Sequence, residues 1–189
     1  LINGKPFPTQ FPLQWDATCN GFQHLSLLVN DLELANNVNI GKSNPLSTPN
    51  DIYSMALTFV KNKLNHFARV EKDNNYANLA NFPLSRKLIK KSVLTISYSV
   101  TLWGVKEQLE EFFKDNGKIV QNGKIFNYEF TLNNTTYSLS NKELFLLAKL
   151  IHNSIFHLYP KLKELMNYFK IINSIFYENN LGIQWKAPN

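Results

Sequence analysis

Cysteine is almost missing from this sequence. Cys19 is the only one in 189 residues, which excludes an intrachain disulfide and a thiolate zinc cage. A reducing compartment fits that usage. Glycine is scarce, while Asn, Lys, Ile and Phe are abundant, the signature of an AT-rich genome. No apolar stretch is long enough to cross a bilayer, because Lys, Asn or Glu interrupts every candidate. The first residues carry no basic-then-apolar leader, and there is no repeat, low-complexity run or interdomain linker. Acids are outnumbered, 14 Asp plus Glu against 20 Lys plus Arg. That surplus suits a polyphosphate partner, since each neutralised phosphate releases a condensed counterion. It suits the solvated surface of an ordinary basic protein as well, and charge alone does not separate the two. At 44% hydrophobic, the chain can bury one sizeable core.

The patterning predicts a predominantly helical α+β fold with small antiparallel sheets. Residues 11–16 read as a short buried strand ending on Asp16, followed by a turn at Asn20-Gly21 and a helix from Phe22 to Val29. Residues 36–47 read mostly as loop. Thr48, with Pro49 behind it, is placed as the cap of a helix running to about His66. Residues 70–82 are polar and Asn-rich, and read as a loop. Ser85 caps a helix from Arg86 to about Ser97, and Lys106 to Phe113 forms another. Alternating Ile, Val, Phe and Tyr over 118–139, punctuated by Asn122-Gly123 and Asn133-Asn134, predict a small meander. Ser140 then caps a helix through Leu158, Pro160 breaks it, and Lys161 to Tyr177 forms the last.

Two constellations carry chemistry. The first is Asp16-Ala17-Thr18-Cys19-Asn20-Gly21-Phe22-Gln23-His24. A carboxylate at the end of a buried strand, with a backbone carbonyl just after it, is a platform for Mg²⁺. Read alone, Asp16 serves equally well as a cap for the following helix. In the second, Arg86, Lys90, Leu94 and Tyr98 advance four residues at a time along one helical face. Two cations, an apolar residue and an aromatic follow the phosphates, sugar and base of a nucleoside triphosphate in order. The competing reading is a basic amphipathic helix with Tyr98 half buried. His152 and His157 have the wrong helical spacing for a shared metal.

The first segment resembles motif A of the single-subunit RNA polymerases of bacteriophages and mitochondria, Asp-Gly-Ser-Cys-Ser/Asn-Gly-x-Gln-His. It departs at Ala17 and Thr18, which keep the carbonyl and a hydroxyl. Cys19 and His24 are taken as packing residues of the motif. The pattern Arg86-x3-Lys90-x7-Tyr98, with Lys91-Ser92-Val93, resembles motif B of the same family. Ser99 stands where the family usually has Gly, which stiffens the pivot there, and Trp103-Gly104 matches an aromatic followed by Gly. Asn50-Asp51-Ile52-Tyr53 is similar to a Gln-Asp-Ile-Tyr helix start, and Trp185 with Pro188 to a Trp-x-x-Pro segment. The stretches 70–82 and 118–139 do not follow the phage pattern.

The resemblance implies DNA-templated RNA synthesis with two Mg²⁺ ions, with DNA template, RNA transcript, ribonucleoside triphosphates and the rest of a longer polymerase chain as partners, and no membrane. It implies that Asp16 and the Ala17 carbonyl are metal ligands, and that Asp16 and Lys90 are catalytic. Arg86, Lys90, Tyr98, Gly21 and Tyr53 are the nucleotide-binding set. It also implies a palm segment over 1–47 and a fingers segment over 48–158, with 159–189 returning towards the palm. The family's second metal-binding acid belongs to a downstream His-Asp pair; no His here precedes an Asp, so this chain is expected to be an incomplete core. The location expected is a mitochondrion, or a linear plasmid within one, with a phage-infected cell as the alternative. Two other readings compete. One is a family-A DNA polymerase, which usually carries Glu at the position of Gly21 and Phe at that of Leu94. The other is a non-catalytic, basic nucleic-acid-binding relic.

Overall fold

A computed structural model describes residues 19–41, 48–71, 73–123, 125–184 and 186. The order among them is α1 (Asn20–Leu28), α2 (Leu32–Asn37), α3 (Ile52–Val70), α4 (Asn74–Asn81), α5 (Arg86–Ile96), α6 (Leu102–Asn116), β1 (Lys118–Asn122), β2 (Ile125–Leu132), β3 (Thr135–Ser140), α7 (Asn141–Leu158) and α8 (Pro160–Glu178). The predominantly helical α+β expectation holds. The expected meander is a three-stranded antiparallel sheet in the order β1-β2-β3. The strand read over 11–16 lies outside the described residues.

Helix α7 is the hub. Its Leu144, Leu147, Ala148, Ile151 and Ile155 are buried along one face, and it touches α3, α4, α5, α6, α8 and two strands. Ser140 caps its start as expected, and does so within a capping box completed by Glu143. Against it lie Ile52, Ala56, Val60 and Leu64 of α3, Ile89, Val93 and Ile96 of α5, and Val105, Leu109 and Phe113 of α6. The sheet closes one end, with Tyr128 and Leu139 inside. The Tyr128 hydroxyl donates to Glu110 at 2.6 Å, so the buried phenol is satisfied.

Several boundaries differ from the sequence reading. Asn20 and Gly21 form the first turn of α1 rather than a preceding turn, because Cys19 takes the left-handed conformation (φ 63°) that turns the chain into the helix. The cap of α3 is Asp51, not Thr48. Asn39 and Asn50 exchange hydrogen bonds of 2.8 Å in both directions, which holds Asn50 outside the helix and leaves Asp51 to accept from Tyr53 N. Residues 74–81 form α4, not loop. Asp73 caps it, Leu79 is buried, and Tyr76 stacks on Phe67 with ring centroids 5.1 Å apart. Helix α6 starts four residues early because Thr101 caps it, accepting from Gly104 N at 3.1 Å.

One polar atom inside α5 stands out. Ser92 Oγ is buried and meets no hydrogen-bond partner among the described residues. An unmatched buried hydroxyl costs about 1–3 kcal/mol. Ser92→Ala is therefore expected to raise the unfolding free energy by about 1 kcal/mol in a denaturant titration. A fall in stability would mean that the hydroxyl is matched after all.

Candidate functional site

Helix α5 is anchored by Leu88, Ile89, Ser92, Val93 and Ile96, which face the core. Ser85 caps it by accepting from Leu88 N. With that face buried, its four cations must point outward, and they divide into two pairs. Lys87 donates to Asn116 Oδ1 at 2.6 Å and Lys91 pairs with Glu111, so both are tied to α6. Arg86 and Lys90 lie on the other side, over the N-terminal turn of α3. The Arg86 guanidinium carbon is 5.0 Å and Lys90 Nζ 5.9 Å from the centre of the Tyr53 ring, so one aromatic ring meets both charges.

Tyr53 itself is buried. Its hydroxyl accepts from the Cys19 thiol at 3.1 Å. Burial, then the Cys19 contact, pushes the phenol above its ordinary range, and burial also pushes the Cys19 thiol up. Tyr53 is thus a neutral platform, and Cys19 a packing residue as expected. His24, by contrast, is exposed on α1, so that part of the expectation is not met among the described residues.

Arg86 is held from a second direction. Its Nε donates to Asp51 Oδ2 at 2.6 Å and its Nη2 to Oδ1 at 3.2 Å. Burial pulls the Asp51 carboxyl upward, but hydrogen bonds from Arg86 and Ser54 outweigh it and leave the group below the usual carboxylate range. The bond to Asp51 correspondingly raises Arg86.

Tyr98 is not on the helical face that the spacing predicted. Helix α5 ends at Ile96, with Ser97 as its C-cap, and Ser99 adopts the left-handed conformation at φ 61°. Glycine adopts that conformation without penalty, and a serine fixes it at a cost. The turn carries the ring of Tyr98, 59% exposed, to α1, where its hydroxyl donates to Asn20 Oδ1 at 2.9 Å. Gly21 is immediately alongside. A Cβ there would collide with Ser97 Oγ, come within 2.8 Å of Ser97 Cβ and lie 3.3 Å from the Tyr98 ring. Gly21 is therefore required for the close approach of α1 to the end of α5.

The residues singled out in the sequence thus form two adjoining groups. Arg86, Lys90 and Tyr53 make one, and Gly21 with Tyr98 the other; the Cys19-Asn20 step of α1 bonds to both. Asp16, Ala17, Trp185 and Pro188 lie outside the described residues. His152 bonds the Val100 carbonyl and His157 that of Asn153, and no group of three His, Cys, Asp or Glu able to hold a metal occurs among the described residues. Sequence reasoning missed Asn20 as the partner of Tyr98 and Asp51 as the partner of Arg86. Both stand inside quoted motifs, which was the available signal.

Comparison with known proteins identifies the family. The family model of DNA-dependent RNA polymerase matches residues 1–184. A probable DNA-directed RNA polymerase of Neurospora crassa is 33% identical over 184 residues, covering 96% of this chain and 20% of that protein. The mitochondrial DNA-directed RNA polymerase of Schizosaccharomyces pombe is 34% identical over 107 residues, 57% of this chain and 9% of that protein. Mitochondrial DNA-directed RNA polymerase 1 of Arabidopsis thaliana is 23% identical over 189 residues, 97% of this chain and 18% of that protein. The chain spans about a fifth of the length of the curated relatives that it matches end to end.

Proposed function

The chain belongs to the DNA-dependent RNA polymerase family, and from that premise we propose that it serves DNA-templated RNA synthesis as the nucleotide-holding part of a single-subunit polymerase. Residues 1–47 are the palm segment with motif A. Residues 48–158 are the fingers segment with motif B, and 159–189 return towards the palm. The observation that carries the reading is the adjacency of two groups, Arg86 and Lys90 over Tyr53 and Tyr98 beside Gly21, joined through the Cys19-Asn20 step. Cations at one end and an exposed aromatic at the other suit a ribonucleoside triphosphate.

Each residue then has a task. Arg86 binds the outer phosphates, its planar fork suiting their oxygens. Lys90 holds the inner phosphates and stabilises the charge that develops on the leaving pyrophosphate. Tyr53 supports both cations from below. Tyr98 packs by the nascent base pair and reads the ribose 2′-hydroxyl, and Gly21 leaves the space beside it without a side chain. The family uses divalent metal, and the finer assignment to Mg²⁺ rests on the donors, a carboxylate at Asp16 and a carbonyl at Ala17, both hard oxygens. The buried Cys19, bonded to Tyr53, does not offer a competing soft ligand. When bound, Mg²⁺ lowers the barrier to attack by the transcript 3′-hydroxyl and neutralises pyrophosphate. The DNA template, the RNA transcript and the remaining polymerase chain are the partners. The mitochondrial relatives support a mitochondrial setting.

The test is sugar choice. In the full-length polymerase, Tyr98→Phe keeps the ring and removes the hydroxyl proposed to read the ribose. The ratio of kcat/KM for ribo- over deoxynucleotides is expected to fall roughly tenfold, the scale of one lost hydrogen bond, with ribonucleotide incorporation nearly unchanged. An unaltered ratio would remove Tyr98 from the reading.

A further inference from the structure

Four donors converge on one carboxylate. Asp51 accepts from Tyr53 N at 3.2 Å, from the Ser54 hydroxyl at 2.6 Å, and from Arg86 Nε and Nη2 at 2.6 and 3.2 Å. The first two come from α3 itself, so the carboxylate has a fixed orientation before Arg86 meets it. The pair contributes little to folding, because both partners are substantially exposed, 45% for the Arg86 side chain and 32% for that of Asp51. What it does fix is direction. Asp51 takes the side edge of the guanidinium, Nε with Nη2, and the Tyr53 ring takes its face. The end edge, where Nη1 sits, makes no hydrogen bond to any described residue and is the edge left for an anion.

Resting on the nucleotide site proposed above, we propose that Asp51 is a positioning residue for that site: it holds Arg86 so that the end edge of the guanidinium is presented to the outer phosphates. An arginine on a flexible stem loses side-chain freedom each time it grips a ligand. Asp51 and Tyr53 remove that freedom beforehand. The contribution is the same in the ground state and the transition state, so it acts on KM and not on kcat.

Asp51→Asn isolates the effect, because Asn caps a helix as well as Asp and still accepts from Tyr53 N, while its charge is gone. In the full-length polymerase, its KM for each ribonucleotide is expected to rise roughly tenfold, the scale of a lost charge-assisted hydrogen bond, with kcat nearly constant. Asp51→Ser, a second uncharged cap, gives the same result, and neither variant shifts the melting temperature appreciably. The double variant Asp51→Asn with Arg86→Ala has the KM of Arg86→Ala alone, because Asp51 acts only through Arg86. Additive KM effects, a matching loss in kcat, or a lower KM (Asp51 competing with phosphate) would each overturn the inference. If Arg86→Ala by itself leaves KM unchanged, the nucleotide site itself is misassigned, a different failure from that of Asp51.

Discussion

Lys90→Ala in the full-length polymerase is expected to slow RNA extension at saturating ribonucleotide by about 10²–10³, the scale for removing one preorganised electrostatic stabiliser. The substitution is clean. Lys90 is exposed, Ala is a strong helix former, and the neighbours that anchor α5, Ile89 and Val93, are untouched. Among the described residues, the other cations of α5 are already engaged. Arg86 is held by Asp51, and Lys87 and Lys91 are bound to α6. The loss should appear in single-turnover extension, with template affinity nearly constant. A defect confined to template affinity would make Lys90 a nucleic-acid contact and take it out of the chemistry.

Asp16→Ala is expected to abolish extension altogether while leaving template binding nearly intact. The prediction rests on the proposed role of Asp16 as a metal ligand, and the rival role, capping the next helix, is weakened by the geometry downstream. The N-cap position of α1 is Cys19, which caps through no side-chain hydrogen bond, so the position where a capping carboxylate would act is three residues beyond Asp16. A carboxylate needed only for a cap would cost about 1 kcal/mol when lost, a stability change and not a lost reaction. Extension assayed with Mg²⁺, beside a thermal melt, separates the two. Retained extension with a lowered melting temperature would return Asp16 to a structural role.

How legible each element was follows from where its stabilisation comes from. Helices α5 and α7 carry their own start signals, Ser85 and Ser140, next to strong apolar periodicity, and both were readable. Helix α4 was not. Its Asn-rich sequence has weak intrinsic helicity, and what holds it lies elsewhere, in Phe67 against Tyr76 and in Asn78 donating to Glu143 and to the Ser138 carbonyl. The start of α3 was misplaced by three residues because the clasp from Asn39 reaches Asn50 across a gap in sequence. The site shows the same division. Arg86 and Lys90 share a side because helical spacing demands it. Tyr98 was assigned to that face by extending the helix past Ile96, and the left-handed turn at Ser99 leaves no periodic trace. Its partner Asn20 and the Arg86 partner Asp51 are 78 and 35 residues away, beyond any local pattern.

The wiring of the β1-β2-β3 meander makes it a self-contained excursion of the chain. It leaves α6 and enters α7, two helices already in contact, and each strand pairs with its immediate neighbour in the chain. A segment routed in this way can be gained in one insertion, because no other part of the chain needs re-threading. It cannot be lost as simply. Phe130 and Tyr137 pack against Phe82, the latter edge-on, and Tyr128 packs against Phe113. Excising the segment would open an aromatic core to water. The excursion is simply wired yet structurally fixed, because α6 and the end of α4 rely on its aromatic cover.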